Sequence, residues 1–226
     1  MLDILLVLFI WRRKDLYNLV GKTNFTFYAY WCLEVILVPS NASKCTVAIL
    51  SDGVVLNNLT IYGGEESQAV SVFGSHASIL NCNILNGAVG VYLFGSSNSS
   101  LINNTISSSD YGVYADNSDN NSVLFNWIKD NWYGIVTSGS SYNVFEGNFI
   151  FDNWIGVEES SCSNRYISNN VYDNVEGIFI NDGVNSSFKD NFVFGNYIGL
   201  FNYDKEENMG VGVPPKGKYM LGMVIS

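Results

Sequence analysis

Three kinds of residue in this chain have types and spacings that could do chemistry, and all three recur at a nearly constant interval. Asp130, Asp152 and Asp173 are separated by 22 and 21 residues. Carboxylates brought together by stacking would repel unless a cation bridged them, and such an oxygen-rich site suits Ca²⁺. Each precedes an Asn, however, and Asp-Asn at a fixed position is turn chemistry, which is the preferred reading. Glu158, Glu159 and Glu176 form a second acidic group, and paired carboxylates are what glycoside hydrolysis needs. Adjacent strand residues face opposite ways, so Glu176 is a better partner for Glu158 than Glu159 is. The third group is aromatic. Trp127, Phe149 and Phe192 hold one recurring position, Phe151, Tyr172 and Phe194 a second, and Trp132, Trp154 and Tyr197 a third. Rows of outward rings would form a flat, amphipathic strip suited to sugar rings, unless they serve only to brace the sheet. The candidate binding set is Trp127, Trp132, Phe149, Trp154, Tyr172 and Phe192.

The interval itself identifies the elements that must position these residues. Gly90, Gly112, Gly134, Gly156, Gly177 and Gly199 are spaced by 22, 22, 22, 21 and 22 residues. Six residues before each glycine is an aliphatic, from Ile84 and Ile106 to Val193, and one residue after is another, from Val91 to Leu200. Eight before stands Asn104, Asn126, Asn148, Asn169 or Asn191, with Cys82 in the first copy. A fixed period of this kind signals a repeat architecture. A coil of about 22 residues is too short for a helix pair, and its β-branched, aromatic and Asn-Gly-Ser content is that of strands and turns. One coil cannot bury its own apolar face, whereas stacked parallel coils bury it and pair the backbone above and below. The expected fold is therefore all-β, a right-handed parallel β-helix with terminal caps. In it the aliphatic columns form the core, and the Asn column bonds amide to amide. The glycines mark a turn where a Cβ would clash or φ must be positive. A second polar column, Asn131, Asn153, Asn174 and Asn196, is expected at a corner.

The expected boundaries are 1–45 for an apolar N-terminal segment and cap, 46–204 for the solenoid and 205–226 for a C-terminal cap or linker stub. Residues 1–11, MLDILLVLFIW, precede Arg12, Arg13 and Lys14. They are too short to span a bilayer and have their charges on the wrong side for a secretory signal, leaving a truncated or atypical signal or anchor, an amphipathic cap over the open end of the solenoid, or an incomplete chain start. Any membrane contact is assigned to residues 1–14.

Composition narrows the function classes. The formal net charge of the 226 residues is −10, and between Leu50 and Asp204 the basic residues are Lys129, Arg165 and Lys189 alone. Nucleic acid is excluded as a partner, because its binding requires a basic groove. Cys32, Cys45, Cys82 and Cys162 show no metal or disulfide framework spacing, although Cys32 and Cys45 are near enough in sequence to bridge. Glycosylation triplets at Asn24, Asn41, Asn58, Asn98, Asn103, Asn120 and Asn185 lean toward an exported protein. No Ser-His-Asp set, phosphate loop, dinucleotide fingerprint or zinc pattern is present.

Runs such as LINNTISSSDYGVYADNSDNNSV and SNRYISNNVYDNVEGIFINDGVNSS resemble the repeats of NosD-type periplasmic copper-binding β-helix proteins and the wider carbohydrate-binding and sugar-hydrolase β-helix group. The resemblance covers roughly residues 46–204. It implies a periplasmic or cell-surface location and raises a role in copper handling. Copper favours sulfur and imidazole ligands, and His76, the scattered cysteines and Met220 with Met223 are a thin set for it. The leading expectation is a non-catalytic module that binds an extended carbohydrate or a protein partner along the aromatic flank. A polysaccharide hydrolase or lyase using Glu158 and Glu176, or Asp130 and Asp152 with Ca²⁺, is the alternative, and copper handling a third.

Overall fold

The computed structural model describes residues 26–28, 35–181, 183–202, 219–220 and 223–225. Among these the chain winds into a right-handed parallel β-helix of about eight turns. Its three sheets have eight, nine and nine strands. The turn around Gly134 shows the plan. Ser122–Leu124 lies on face A, Trp127–Lys129 on face B and Tyr133–Ser141 on face C. Each strand pairs in parallel with its counterpart one turn away, as in Ile106↔Ile128↔Ile150 on face B and Val113↔Ile135↔Val157 on face C. The repeating letters therefore lie over one another, about 4.8 Å apart.

Side-chain alternation along each short strand fills the interior. Face B contributes Ile84, Ile106, Ile128 and Ile150, and face C contributes Val91, Val113, Ile135 and Val157, all essentially without solvent exposure. Face A adds a core column the period did not reveal, ending in Phe145, Tyr166 and Phe188. Those three rings stack at 4.6 Å with planes within 8°.

Each corner of the coil is made by two residues. The first has positive φ, as at Asn103, Asp130 and Asn120, and the second turns a polar side chain inward. Asn126 Nδ2 donates to Asn148 Oδ1 at 3.0 Å and to the Leu101 carbonyl at 2.9 Å, and Asn148 Nδ2 donates onward to Asn169 Oδ1 at 2.9 Å. Asn131, Asn153 and Asn174 are linked in the same way, and so are Asn143 and Asn164 at the third corner. The amide thus satisfies a backbone N–H and C=O where the sheet ladder is interrupted. Two expectations are corrected. The left-handed corner residue is the Asp before Asn131 and its equivalents, with φ of 53–55° at Asp130, Asp152 and Asp173, while the Asn points inward. The repeating glycines are not turn residues either. Gly112 lies inside the strand Tyr111–Asp116, and a Cβ there would sit 2.6 Å from the Gly134 carbonyl oxygen.

The strands Thr26–Tyr28 and Val35–Leu37 continue faces A and B before residue 46, in parallel register with Val55–Asn57 and Leu59–Ile61. At the other end Tyr219–Met220 and Met223–Ile225 add antiparallel to faces C and B. The apolar segment 1–14, with its capping and membrane readings, lies outside the described residues. The Cys45 thiol donates to the Val47 carbonyl and lies against Ser71 Oγ, and Cys32, the partner considered for a bridge, lies outside the described residues.

Candidate functional site

Face B carries the aromatic flank. Ile128, Ile150, Val171 and Val193 point inward, so the residues on either side of each point out. Trp127 and Phe192 are 46% and 52% exposed, and Trp132 and Trp154, at the corner toward face C, 54% and 48%. Phe149 and Tyr172 are half-buried. The rings stack chiefly on each other: Trp127 on Phe149 at 4.9 Å, Phe151 on Tyr172 at 4.9 Å, Tyr172 on Phe194 at 5.1 Å and Trp132 on Trp154 at 5.2 Å. Planes lie within 6–23° of parallel, which is offset stacking. Part of every inner ring's face is thus taken by its neighbour. What remains open to a ligand is the offset half-face, the outer edge and the free face at each end of a row. The row ends, Trp127, Trp132, Trp154 and Phe192, present more surface than Phe149 and Tyr172, which set the spacing.

The Asp column lines the corner between faces B and C. Lys129 Nζ lies 2.8 Å from Asp130 Oδ2 and 6.0 Å from the centre of the Phe151 ring. Among the described residues no three His, Cys, Asp or Glu side chains converge as a metal site would require. The sulfur and imidazole groups are also dispersed. Cys82 is buried with its thiol on the Leu80 carbonyl, Cys162 contacts Ser141, and His76 is a positive-φ corner residue. The side chains of Met220 and Met223, and Cys32, lie outside the described residues. Of the glycosylation triplets, Asn98, Asn103, Asn120 and Asn185 are exposed corners with φ of 55–57°.

Face C holds the glutamates on the strand Ile155–Cys162 and its neighbour Glu176–Ile180. Glu158 points outward and is half-exposed, in register with Val136 on one side and Phe179 on the other. Burial raises its carboxyl above the usual range, hydrogen bonds from Ser160 and Asn181 pull it back, and the charge of Glu176 raises it again. Glu176 is raised by burial. The pair therefore shares one outward surface one turn apart, and the charge of Glu176 bears on Glu158.

Glu159 points the other way and was not singled out for the interior by any sequence signal used above. It is 0% exposed. Its Oε2 accepts from Thr137 Oγ1 at 2.9 Å and Tyr166 OH at 2.5 Å, and its Oε1 from Ser186 Oγ at 2.9 Å and Asn164 Nδ2 at 3.0 Å. Burial raises this carboxyl too, and the four donors oppose the rise. The available signal was the column itself, Leu93, Ala115, Thr137, Glu159 and Ile180, in which an inward apolar position turns polar for two turns.

Comparison with known proteins adds three solved structures of similar fold. The A-module of mannuronan C-5 epimerase AlgE6 from Azotobacter vinelandii superposes with TM-score 0.62 at 12% identity, over 70% of this chain and 50% of its own. The enzymatically active domain of tailspike protein 2 from bacteriophage CBA120 gives TM-score 0.58 at 14% identity, over 72% of this chain and 30% of its own. Pectate lyase Pel9A gives 0.53 at 14%, over 79% and 54%. This chain therefore spans about half the length of these proteins or less, and at such identities they speak for the fold. No curated protein matches the sequence. The model of the family described as periplasmic copper-binding protein (NosD) matches residues 40–211. That match takes in the coils from Val47 to Asn202 with their core columns, and the chain belongs to the NosD family.

Proposed function

We propose that this solenoid is an exported module that holds an extended glycan along face B and the adjoining corner, without turning the glycan over. The observation that carries the reading is the exposure of Trp127, Trp132, Trp154 and Phe192, each about half open to solvent on one flank of successive turns. Exposed apolar rows on a soluble surface usually mark an interaction site, and indole and phenyl rings present the flat apolar area that a sugar ring covers. The long axis suits a polymer, because equivalent contacts recur at each turn. The polysaccharides named in the similar epimerase and lyase, and the periplasm named in the family description, support the choice of glycan and of export. A protein partner on the same rows is the competing occupant.

Titration of the full chain with a polysaccharide panel tests this. Trp154→Ala and Trp127→Ala each weaken binding of the preferred polymer by about tenfold, consistent with about 1–2 kcal/mol per lost aromatic contact. Absence of binding to every polymer by the wild type would sink the glycan reading and leave the flank to a protein.

One observation favours a second reading, hydrolysis or lysis on face C. Glu158 and Glu176 lie on one outward surface one turn apart, and burial raises both carboxyls, the direction that suits a carboxyl acting as a general acid. Turnover that persists in Glu158→Gln rules that residue out. Ca²⁺ at Asp130, Asp152 and Asp173 stays a weaker proposal, because each Asp serves a corner and Asp130 already pairs with Lys129. The copper in the family's description finds no matching donor set among the described residues. The described thiols and the imidazole of His76 are each committed elsewhere or isolated, so no step is assigned to copper.

A further inference from the structure

Face C has an outward surface that the flank argument does not use. On its N-terminal half the rings are continuous. Tyr92 lies 5.3 Å from Tyr114, Tyr111 stacks on Tyr114 at 5.4 Å, and Tyr111 stacks on Tyr133 at 4.9 Å within 7°. Further along the axis Phe179 stacks on Phe201 at 5.4 Å. Between these groups the strip changes character. Glu158 stands in the column of Tyr92, Tyr114 and Phe179, and Glu176 in the column of Tyr111 and Tyr133. The two carboxyls are half-buried among apolar neighbours, and the charge of Glu176 adds to the cost of ionising Glu158.

The charge on this surface is of one sign. Among the described residues from Val47 on, the basic side chains lie elsewhere, Lys129 on face B and Arg165 and Lys189 on face A. Tyr92 OH donates to Asp116 Oδ2 at 2.9 Å, so the tyrosine end is acidic as well. A cation brought here would meet carboxylates with no cationic partner on the face C strands Val89–Phe94 to Ile198–Asn202, and aromatic rings whose faces attract positive charge. A polymer of uronic acids would instead meet like charge.

We propose that face C is a second binding surface and that its occupant is a glycan bearing free amino groups, seated on the tyrosines with an ammonium group at Glu158 and Glu176. The strip from Tyr92 to Phe201 crosses six strands, about 24 Å at the usual strand spacing, which accommodates an extended oligosaccharide. The inference shares with the preceding section only the premise that the protein binds glycan. Its residues are different, so the two can fail separately.

Calorimetric titration of the full chain with a glucosamine hexamer and with the N-acetylglucosamine hexamer tests it, at a pH where the free amines are charged. Acetylation removes the charge and keeps the backbone. The amine form binds about tenfold more tightly, as one desolvated charge-assisted contact would give. That preference vanishes when salt is raised from about 0.1 to about 1 M. It also vanishes in Glu158→Gln with Glu176→Gln, and survives in Trp154→Ala, a change that reports on face B. Equal affinity of the two hexamers for wild type overturns the inference without recourse to any variant, and so does failure of both to bind. A preference retained in the folded double variant overturns it as well. Oligolysine competing for the same carboxylates while the glucosamine hexamer does not bind would assign the face to a basic protein instead.

Discussion

Glu159 is the residue whose chemistry is set most completely by its surroundings. It is a carboxyl without a cation, enclosed by Thr137, Asn164, Tyr166 and Ser186. In an unfolded chain it titrates near the ordinary 4.5, and burial raises it in the fold. The folded chain then keeps a proton that the unfolded chain has released. The stabilisation is full below the unfolded value and is lost as pH climbs through the folded one. Glu158 and Glu176 shift in the same direction and contribute to the same slope. Thermal unfolding followed from about pH 4 to about pH 8 should therefore show wild type losing stability with rising pH, and Glu159→Gln losing less. A slope unchanged in Glu159→Gln would show that the buried carboxyl stays ionised throughout. Glu159→Ala leaves the surrounding donors without an acceptor and should cost about 3 kcal/mol, or roughly 6–12 °C in Tm for a chain of this size.

At the scale of the element, the glycine column shows how tightly one strand lies on the next. An added Cβ at Gly112 would meet the Gly134 carbonyl oxygen at 2.6 Å and Ile128 Cγ2 at 2.9 Å. Neither can retreat, since the oxygen belongs to a strand paired on both sides and the methyl to the core. Gly95 makes a useful contrast, with φ of +61° and nothing within 4 Å of its virtual Cβ. Gly112→Ala should cost about 2–4 kcal/mol in urea unfolding and Gly95→Ala about 1 kcal/mol, the latter from backbone strain alone. Equal costs would mean that the strand-to-strand approach is not the constraint. The same logic separates the two kinds of corner residue. The positive-φ position tolerates Asn, Asp, Ser, Tyr, Phe and Gly, because it faces out. The inward position is nearly always Asn or Ser, because its side chain must complete backbone hydrogen bonds.

Taken as a whole, the molecule is a one-dimensional stack in which each turn touches its neighbours alone. Stability then sums over turns and the interfaces between them. Inner turns, with two interfaces each, should open last. Hydrogen exchange read by mass spectrometry should show protection greatest between residues 106 and 180 and falling toward both ends. Uniform protection along the axis would indicate a single all-or-none unit. The stack also puts the two proposed binding surfaces on different faces. Aromatic rows on face B and the tyrosine–glutamate strip on face C run parallel to the same axis, so an elongated ligand can use either without blocking the other.

Periodicity alone carried the fold a long way, because stacking makes sequence distance and spatial distance proportional. Ile106, Ile128 and Ile150 are equivalent in the sequence and in register in the structure, and the outward turn of Trp127 and Trp132 follows from them. The third core column, Phe145, Tyr166 and Phe188, escaped because Leu101 and Val123 above it share no obvious letter with those rings. The role of the glycines was legible as a constraint but not as the right one, since a close approach between strands and a turn both demand the absence of Cβ. The surroundings of Glu158 and Glu159 belonged wholly to the tertiary structure. One-letter neighbours on a strand, they meet water and core respectively, and Glu159's partners Thr137, Tyr166 and Ser186 come from three different turns. The sequence by itself determined which residues lie over which, because the repeat length sets the pitch. Only the wound chain decided what each column faces, because that depends on where the corners fall and on what the other two sheets place inside.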